Sequence, residues 1–445
     1  MAGTRSAPTR VASGALFSCI WHRLAQVALS CSRIRPINDA SDGRTYAKGP
    51  AMRVIEDLKP ADLKGKKVLV RVDFNVPLSE GTVTDDTRIR AALPTIDYLM
   101  DAGARIILMS HLGRPAGTGY EEAYSIAPAA RVLSKLIGQE VKTVAEVTGP
   151  TVEQAADALE DGQVLMVENV RFDAREKKND PAMAAEYAKI ADIYVNDAFG
   201  TAHRAHASTE GVAHLLPSYA GLLMTREVQT LSNMLDEPVH PFVAILGGSK
   251  VSDKFGVIDR MIDKADTIII GGGMCFTFLK AQGISVGKSL LEEDWVERAG
   301  EMLEKAKAKG VDLMLPVDII CADEFSESAK TCTCPADSIP DDMMGLDIGP
   351  ATWSYYKEAI AKAKTVFWNG PMGVFEMKPF EGGTRAVAEA VAHNKQAATI
   401  IGGGDSVAAI KKFGLADEVT FISTGGGASM QLVEGVPLPG VEALA

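Results

Sequence analysis

The chain has 445 residues, 47% of them apolar and 23% charged, with a net charge of −12. That length exceeds what one core usually holds and points to two domains of a globular protein. No run reaches the 18 or so apolar residues of a membrane span, and an acidic chain lacks the basic footprint of a general nucleic-acid binder.

Charge is unevenly spread. Residues 1–51 carry six Arg, one Lys and two acids, net +5, which leaves −17 on residues 52–445. This Arg- and Ser-rich, acid-poor leader resembles an organelle transit peptide. An apolar stretch near Leu16–Leu29 is broken by His22 and Arg23, which argues against a secretory signal. The preferred alternative is initiation at Met52, immediately before the first patterned segment, and a cytoplasmic protein. Of six cysteines, Cys19 and Cys31 lie in the leader. Cys275, Cys321, Cys332 and Cys334 show no disulfide spacing, and no second Cys/His pair lies near Cys332-x-Cys334 to complete a metal site. A reducing compartment fits.

Beyond Met52, short Val/Ile-rich runs alternate with helical patterns, the signature of parallel strands with helical crossovers. The first half shows strands at Lys67–Val72, Arg105–Met109, Gln163–Val167 and Ile193–Val195. The second shows Phe242–Leu246, Thr267–Ile270, Thr365–Trp368, Thr399–Ile401 and Thr420–Ile422. The fold class is therefore α/β: two doubly wound parallel-sheet lobes with ligand sites at the carboxyl ends of the strands. Leu222–Leu235 reads as one helix, with Leu223, Met224, Val228, Leu231 and Leu235 near helical spacing, and Pro238 and Pro241 stop it. This gives a leader 1–51, an N-terminal lobe 52–221, a linker helix 222–237, a C-terminal lobe 238–425 and a tail 426–445. A hinge at the linker places the active site between the lobes.

Strand-tip chemistry separates the halves. The first-half tips read Arg71-Val72-Asp73-Phe74-Asn75, Ser110-His111-Leu112-Gly113-Arg114, Glu168-Asn169-Val170-Arg171 and Asn196–Arg204, with Arg88 a short turn away. A doubly wound sheet would gather Arg71, Arg88, Arg114, Arg171, Arg204, His111 and His203 on one edge. Any one Arg can be an ordinary solvated surface charge. Five at successive tips of an acidic chain point to a small, highly anionic ligand, because guanidinium groups hold phosphate and carboxylate in bidentate geometry.

The second-half tips are Gly-rich: Gly247-Gly248-Ser249-Lys250, Gly271–Gly273, Gly402-Gly403-Gly404-Asp405 and Gly425–Gly427. One Gly triplet can be only a tight strand–helix turn. Repeated at successive tips, such turns expose backbone N–H groups and helix N-termini to phosphate, which argues for a nucleotide. Lys250 and Lys254, four apart, are expected on one face of a helix that buries Val251, Phe255, Ile258 and Ile262. The alternative is a pair of solvated lysines. Asp405 could be a plain helix cap or the carboxylate that a phosphate-bridging Mg²⁺ needs. Glu376, after the loop Asn369–Phe375, could accept from ribose hydroxyls. No P-loop and no convincing Gly-x-Gly-x-x-Gly is present, since position 276 is Phe.

At Arg71–Pro77, His111–Pro115, Asp197–His206, Gly247–Lys254, Trp368–Pro371 and Gly402–Ser406 the chain resembles the phosphoglycerate kinase family, in the family's order, from about Met52 to Ala445. Ser249 stands where Ala is usual and Ser406 where Thr is usual. The resemblance implies a Mg²⁺-dependent phosphotransferase with a carboxyl acceptor, taking 1,3-bisphosphoglycerate and ADP to 3-phosphoglycerate and ATP in glycolysis, gluconeogenesis or carbon fixation. It implies a monomer that binds these small molecules, with no nucleic-acid or membrane partner and with its tail returning to the N-terminal lobe. Carried over residue by residue, 3-phosphoglycerate is expected on Asp73, Phe74, Asn75, Arg88, His111, Leu112, Gly113, Arg114, Arg171 and Arg204. ATP or ADP is expected on Lys250, Lys254, Gly272, Gly273, Gly349, Glu376, Gly403, Gly404, Asp405 and Ser406, with Asp405 as the metal ligand. Arg88 and Lys250 are the expected catalytic pair. A nicotinamide-dependent dehydrogenase would need the dinucleotide fingerprint. A non-enzymatic two-lobed binding protein has no use for Asp405 beside paired lysines.

Overall fold

A computed structural model describes residues 52–445. The leader expectations, including Cys19 and Cys31, fall outside the described residues.

Two six-stranded parallel sheets form the body. The first contains β1 (Lys67–Arg71), β2 (Arg105–Met109), β3 (Val141–Thr143), β4 (Val164–Met166), β5 (Ile193–Asn196) and β6 (Ser218–Ala220) in the order β3-β4-β2-β1-β5-β6. The second contains β7 (Phe242–Leu246), β8 (Thr267–Ile270) and β9 (Asp312–Met314). A three-stranded antiparallel sheet follows, made of β10 (Asp318–Ala322), β11 (Thr331–Pro335) and β12 (Met344–Ile348) in the order β11-β10-β12. The chain then returns to the second sheet with β13 (Thr365–Asn369), β14 (Ala398–Gly402) and β15 (Phe421–Ile422), in the order β9-β8-β7-β13-β14-β15.

Side-chain alternation explains the layers. Val68 and Val70 point to one core, with Ile106 and Leu108, while Leu69 points to the other, with Ile107 and Tyr194. Parallel strands buried on both faces must be apolar throughout. The Leu69 cluster continues through Met224, Val228 and Leu231 of the helix Leu222–Asp236 to Phe242 and Ala244 of the second sheet. Leu223, expected on that buried stripe, lies half-buried at its margin. Asp197, at the tip of β5, caps this helix by accepting from the N–H groups of Leu223 (2.9 Å) and Met224 (3.2 Å). Burial pushes its carboxyl up to about 7.

In each sheet the strand order reverses beside the first strand, between β1 and β5 and between β7 and β13. A crevice opens at such a switch point, so the tips after β1 and β7 are placed for ligands. The chain end packs on the N-terminal lobe. Gly440 donates to the Ala202 carbonyl (2.8 Å), Asn196 Nδ2 donates to the Gly440 carbonyl (3.2 Å), and Arg53 N–H donates to the Leu444 carbonyl (2.9 Å).

Candidate active site

The basic cluster is built on the β1 switch point. Arg88 comes from the second position of the helix Thr87–Asp101 and donates to Asp73 Oδ2 at 2.7 Å. Asn75 Oδ1 accepts from the Gly113 N–H (2.9 Å), which ties the β1 and β2 tips together. Arg171 donates to the Gly113 carbonyl (2.9 Å) and holds the β4 tip against them. Gly113 has φ +62°, and a Cβ there would collide with the Tyr124 ring, so the bend requires glycine. His111 is buried and Arg114 exposed. Arg204 is also exposed and donates from Nε to His203 Nε2 (3.0 Å).

Burial and neighbouring positive charge set the protonation. His111 is held well below its ordinary value by burial, then by Arg71, Arg171, Arg88 and His206. His206 is lowered to about 4, again by burial first and then by the arginines. Arg171 is lowered to about 10 by burial, Arg71 and Arg204, and remains charged near neutrality. The arginines therefore supply the positive field, and the imidazoles are neutral hydrogen-bonding groups.

Three residues of the first cluster lie elsewhere than the strand-tip pattern suggested. Arg71 is fully buried. Its guanidinium donates to Ser208 Oγ (2.8 Å) and the Val72 carbonyl and faces His111 Nδ1 (3.1 Å), so it serves the cluster from behind. The Phe74 and Leu112 side chains belong to the hydrophobic core of the first sheet, and only their backbone can meet a ligand.

The second site is a cavity of about 490 Å³ in the C-terminal lobe. Gly248, Gly272, Gly273 and Pro371 form its floor, and Glu376 and Asp405 stand at its edge. Gly272 has φ +67°, and a Cβ there would sit 2.5 Å from the Gly248 carbonyl oxygen, so these turns touch backbone to backbone. Phe276, Leu290, Phe325, Met344, Leu346 and Val374 make much of the rest an apolar slot, which Lys288 and Asp347 also line. Leu290 and Phe325 are 48% and 60% exposed at its mouth. Sequence reasoning missed these six because most lie on or beside the unforeseen antiparallel sheet. Asn369 closes the β13 tip. Its amide is fully buried with neither polar atom bonded, and it lies under Gly403.

The expected lysine helix is corrected. The helix begins at Phe255, Lys254 is its N-cap residue, and Lys250 lies in irregular chain before the turn that leads into it. That turn is anchored by Ser252, whose N–H and Oγ donate to Glu292 (3.0 and 2.6 Å). Lys250 is exposed and Phe255 only half-buried. Lys254 is half-buried, and its side chain passes Gly248. Burial pulls its ammonium down, against the opposing pull of Asp405, Asp253 and Glu434.

Asp405 is not a cap either. Gly403, at φ +84°, holds the N-cap position of the helix Gly404–Lys412, and Asp405 lies exposed in its first turn. Ser406 Oγ accepts from the Gly370 N–H and so joins the β14 and β13 tips. Gly349 lies outside the cavity lining, at a helix start where Asp318 accepts from Ala351 and Thr352. Gly425–Gly427 leave the nucleotide side altogether. Gly425 packs on the Phe199 ring and Gly427 faces His203, both of the N-terminal lobe.

The lobes touch near both sites. Lys411, on the Asp405 helix, donates to Asp85 Oδ2 (3.2 Å) and Thr87 Oγ1 (3.1 Å), at the start of the Arg88 helix. Glu227 of the linker helix accepts from Ser423 Oγ (2.7 Å) and from Thr424 N–H (2.6 Å) and Oγ1 (2.8 Å).

Comparison with known proteins shows the family and the fold. The family model for phosphoglycerate kinase matches residues 55–436. A phosphoglycerate kinase of Moorella thermoacetica is 57% identical over 387 residues, covering 87% of this chain and 98% of its own. The structure of phosphoglycerate kinase from Coxiella burnetii aligns with a TM-score of 0.81 at 44% identity, covering 88% of this chain and 98% of that one. That from Pyrococcus horikoshii aligns at 0.75 and 33% identity, with the same coverage.

Proposed function

The chain belongs to the phosphoglycerate kinase family, and from that premise we propose how its residues divide the work. The reaction is reversible phosphoryl transfer from 1,3-bisphosphoglycerate to ADP, giving 3-phosphoglycerate and ATP. The 3-phosphoglycerate lies on the N-terminal cluster, held by Arg88, Arg114, Arg171 and Arg204, with Asp73, Asn75 and His111 fixing its orientation and the backbone of Phe74, Leu112 and Gly113 closing around it. The base of the nucleotide enters the apolar slot. Its ribose meets Glu376, and its phosphates meet Gly272, Gly273, Gly403, Gly404, Ser406 and Lys254. Gly349 supports the slot from behind Ile348. The supporting observation is the pairing of a guanidinium cluster at one switch point with a glycine-floored apolar cavity at the other.

The donor set suits Mg²⁺ held mainly by substrate. Among the described residues no three ligating side chains converge, yet Asp405 is an exposed carboxylate at the cavity edge. One carboxylate plus phosphate oxygens and water is the usual Mg²⁺ arrangement. Bound there, the metal would neutralise charge on the nucleotide phosphates.

The acceptor is already an anion, so no general base is needed. The protein must bring two repelling anions into line and spread the charge of the moving phosphoryl group. Arg88 from one lobe and exposed Lys250 from the other take that role. Closure of the lobes about the linker helix excludes water and suppresses hydrolysis. The start of the helix Gly427–Glu434, facing His203, adds backbone N–H donors.

The enzyme acts on small molecules, and no described helix is long and apolar enough to cross a membrane. A monomer in the cytoplasm is the preferred setting, with free thiols suited to a reducing compartment. An absorbance-coupled assay with ATP and 3-phosphoglycerate tests the function. ADP formation dependent on 3-phosphoglycerate is expected, and its absence in folded protein overturns the assignment. Intact mass of the native protein tests whether residues 1–51 are retained.

A further inference from the structure

Behind the guanidinium cluster runs a buried polar chain that the reaction itself does not use. Glu176 is fully buried and accepts from Ser208 N–H (3.0 Å) and Ser208 Oγ (2.6 Å). Ser208 Oγ in turn accepts from Arg71 Nε (2.8 Å). The far end of the same guanidinium, NH2, lies 3.1 Å from His111 Nδ1. An arginine has five N–H donors and no acceptor. A ring nitrogen at 3.1 Å from it must therefore offer a lone pair. The competing partner is Asp73 Oδ1, but at 4.0 Å it is beyond hydrogen-bond reach. The groups around His111 are Arg71 from β1, Asp73 and Arg171 from strand tips, Arg88 from its helix, and His206. Four of these five are cationic or donor-capable groups that disfavour an added proton at Nδ1, and the fifth, Asp73, is already paired with Arg88 through Oδ2.

We propose that Glu176 and Ser208 are positioning residues of the substrate site: through Arg71 they fix the His111 ring with Nδ1 as acceptor and the proton on Nε2, which leaves a neutral N–H donor facing the anion. The proposal rests on reading the His111 cluster as the 3-phosphoglycerate site. Glu176 provides the buried counter-charge for Arg71, and Ser208 fixes which way the guanidinium fork points. Without them the Val72 carbonyl is the remaining fixed acceptor that orients the Arg71 fork.

The test is nitrogen-15 NMR of the full chain labelled at histidine, with His111 assigned from His111→Gln. Near neutral pH the expected spectrum has a bare Nδ1 and a protonated Nε2. A proton on Nδ1, or a doubly protonated ring, overturns the proposal. Ser208→Ala is expected to mix the tautomers and raise KM for 3-phosphoglycerate about tenfold, the loss of one buried hydrogen bond. It should leave KM for ATP and kcat nearly unchanged, and Ser208→Thr should restore both readouts. If Ser208→Ala does not fold, Glu176→Gln is read the same way. Wild-type spectra and KM in a folded variant refute the positioning role. Adding 3-phosphoglycerate to the wild type should move the His111 signals. If they stay still, the ligand assignment fails and the substrate role fails with it. A wrong tautomer with a normal ligand shift sinks the positioning chain alone.

Discussion

The two lobes bind anions by opposite means. The N-terminal lobe uses side chains: Arg88 and Arg171 are each held by a named partner, Asp73 Oδ2 and the Gly113 carbonyl. The C-terminal lobe uses backbone: its floor is glycine pressed on glycine, and its side chains mostly make an apolar wall. The difference follows from the ligands. A small, densely charged acid offers little apolar area, so charge and geometry must hold it. A nucleotide offers a flat base that a slot can bury and phosphates that N–H groups can cradle. The same α/β frame serves both, because a switch point presents whatever the strand tips carry.

The largest effect should come from the groups that serve the transferring phosphoryl. Arg88→Ala and Lys250→Ala are each expected to lower kcat about 10³-fold, the scale of losing a cation that stabilises transition-state charge. Far-ultraviolet circular dichroism should stay native. Wild-type turnover in either variant removes that residue from the mechanism. A smaller effect is expected at the edge of the nucleotide lobe. Asp405→Ala should raise the Mg²⁺ concentration needed for half-maximal rate roughly tenfold, the loss of one charge-assisted contact. An unchanged Mg²⁺ dependence would mean that the ion takes no ligand from this helix.

Asp197 sharpens the comparison through stability. Its folded carboxyl is raised to about 7 from an ordinary value near 3.8, with burial the main cause. Between those values the folded state holds more protons than the unfolded chain, so its contribution to stability must fall as pH rises. The melting temperature of the wild type should therefore decline relative to Asp197→Asn from about pH 4 to pH 7. A flat difference between the two across that range would show that the group titrates normally. The smallest effect is expected at the exposed bridge between lobes. Lys411→Glu should raise both KM values by up to about threefold, in keeping with the 0–1 kcal/mol of a solvated ion pair. The double variant Lys411→Glu/Asp85→Lys should recover most of the loss at low salt. No recovery would mean that the pair does not set how the Arg88 and Asp405 helices meet.

Legibility in the sequence divides along the same line. The long central strands β1, β2, β7, β8 and β13 are continuous apolar runs, and their tips carry distinctive residues. The edge strands β3, β6 and β9 were not legible, because three residues show no period and, unlike the wholly buried β4, these are not continuous apolar runs. The antiparallel sheet was hidden for a different reason. In β11, Thr331–Pro335, exposed and half-buried residues alternate without one fully buried side chain. The apolar wall it supports was invisible with it, since an isolated Leu290 or Val374 carries no chemical signature. Charged residues were easier to place near the site than to assign. Only the fold shows that Arg71 points inward to Ser208, or that the helix after Gly248 starts at Phe255 and leaves Lys250 outside it.

The central claim is that each lobe holds one ligand by its own means. Isothermal titration of both ligands into Arg171→Ala and Gly272→Ala tests it most directly. Arg171→Ala should lose 3-phosphoglycerate affinity by tenfold or more and keep that for ATP, since a charge-assisted contact of about 1.5–3 kcal/mol is removed. Gly272→Ala should do the reverse, because its Cβ would meet only backbone, that of Gly248 and the Pro371 carbonyl, which has no flexible side chain to yield. Equal loss of both ligands in either folded variant would contradict the division.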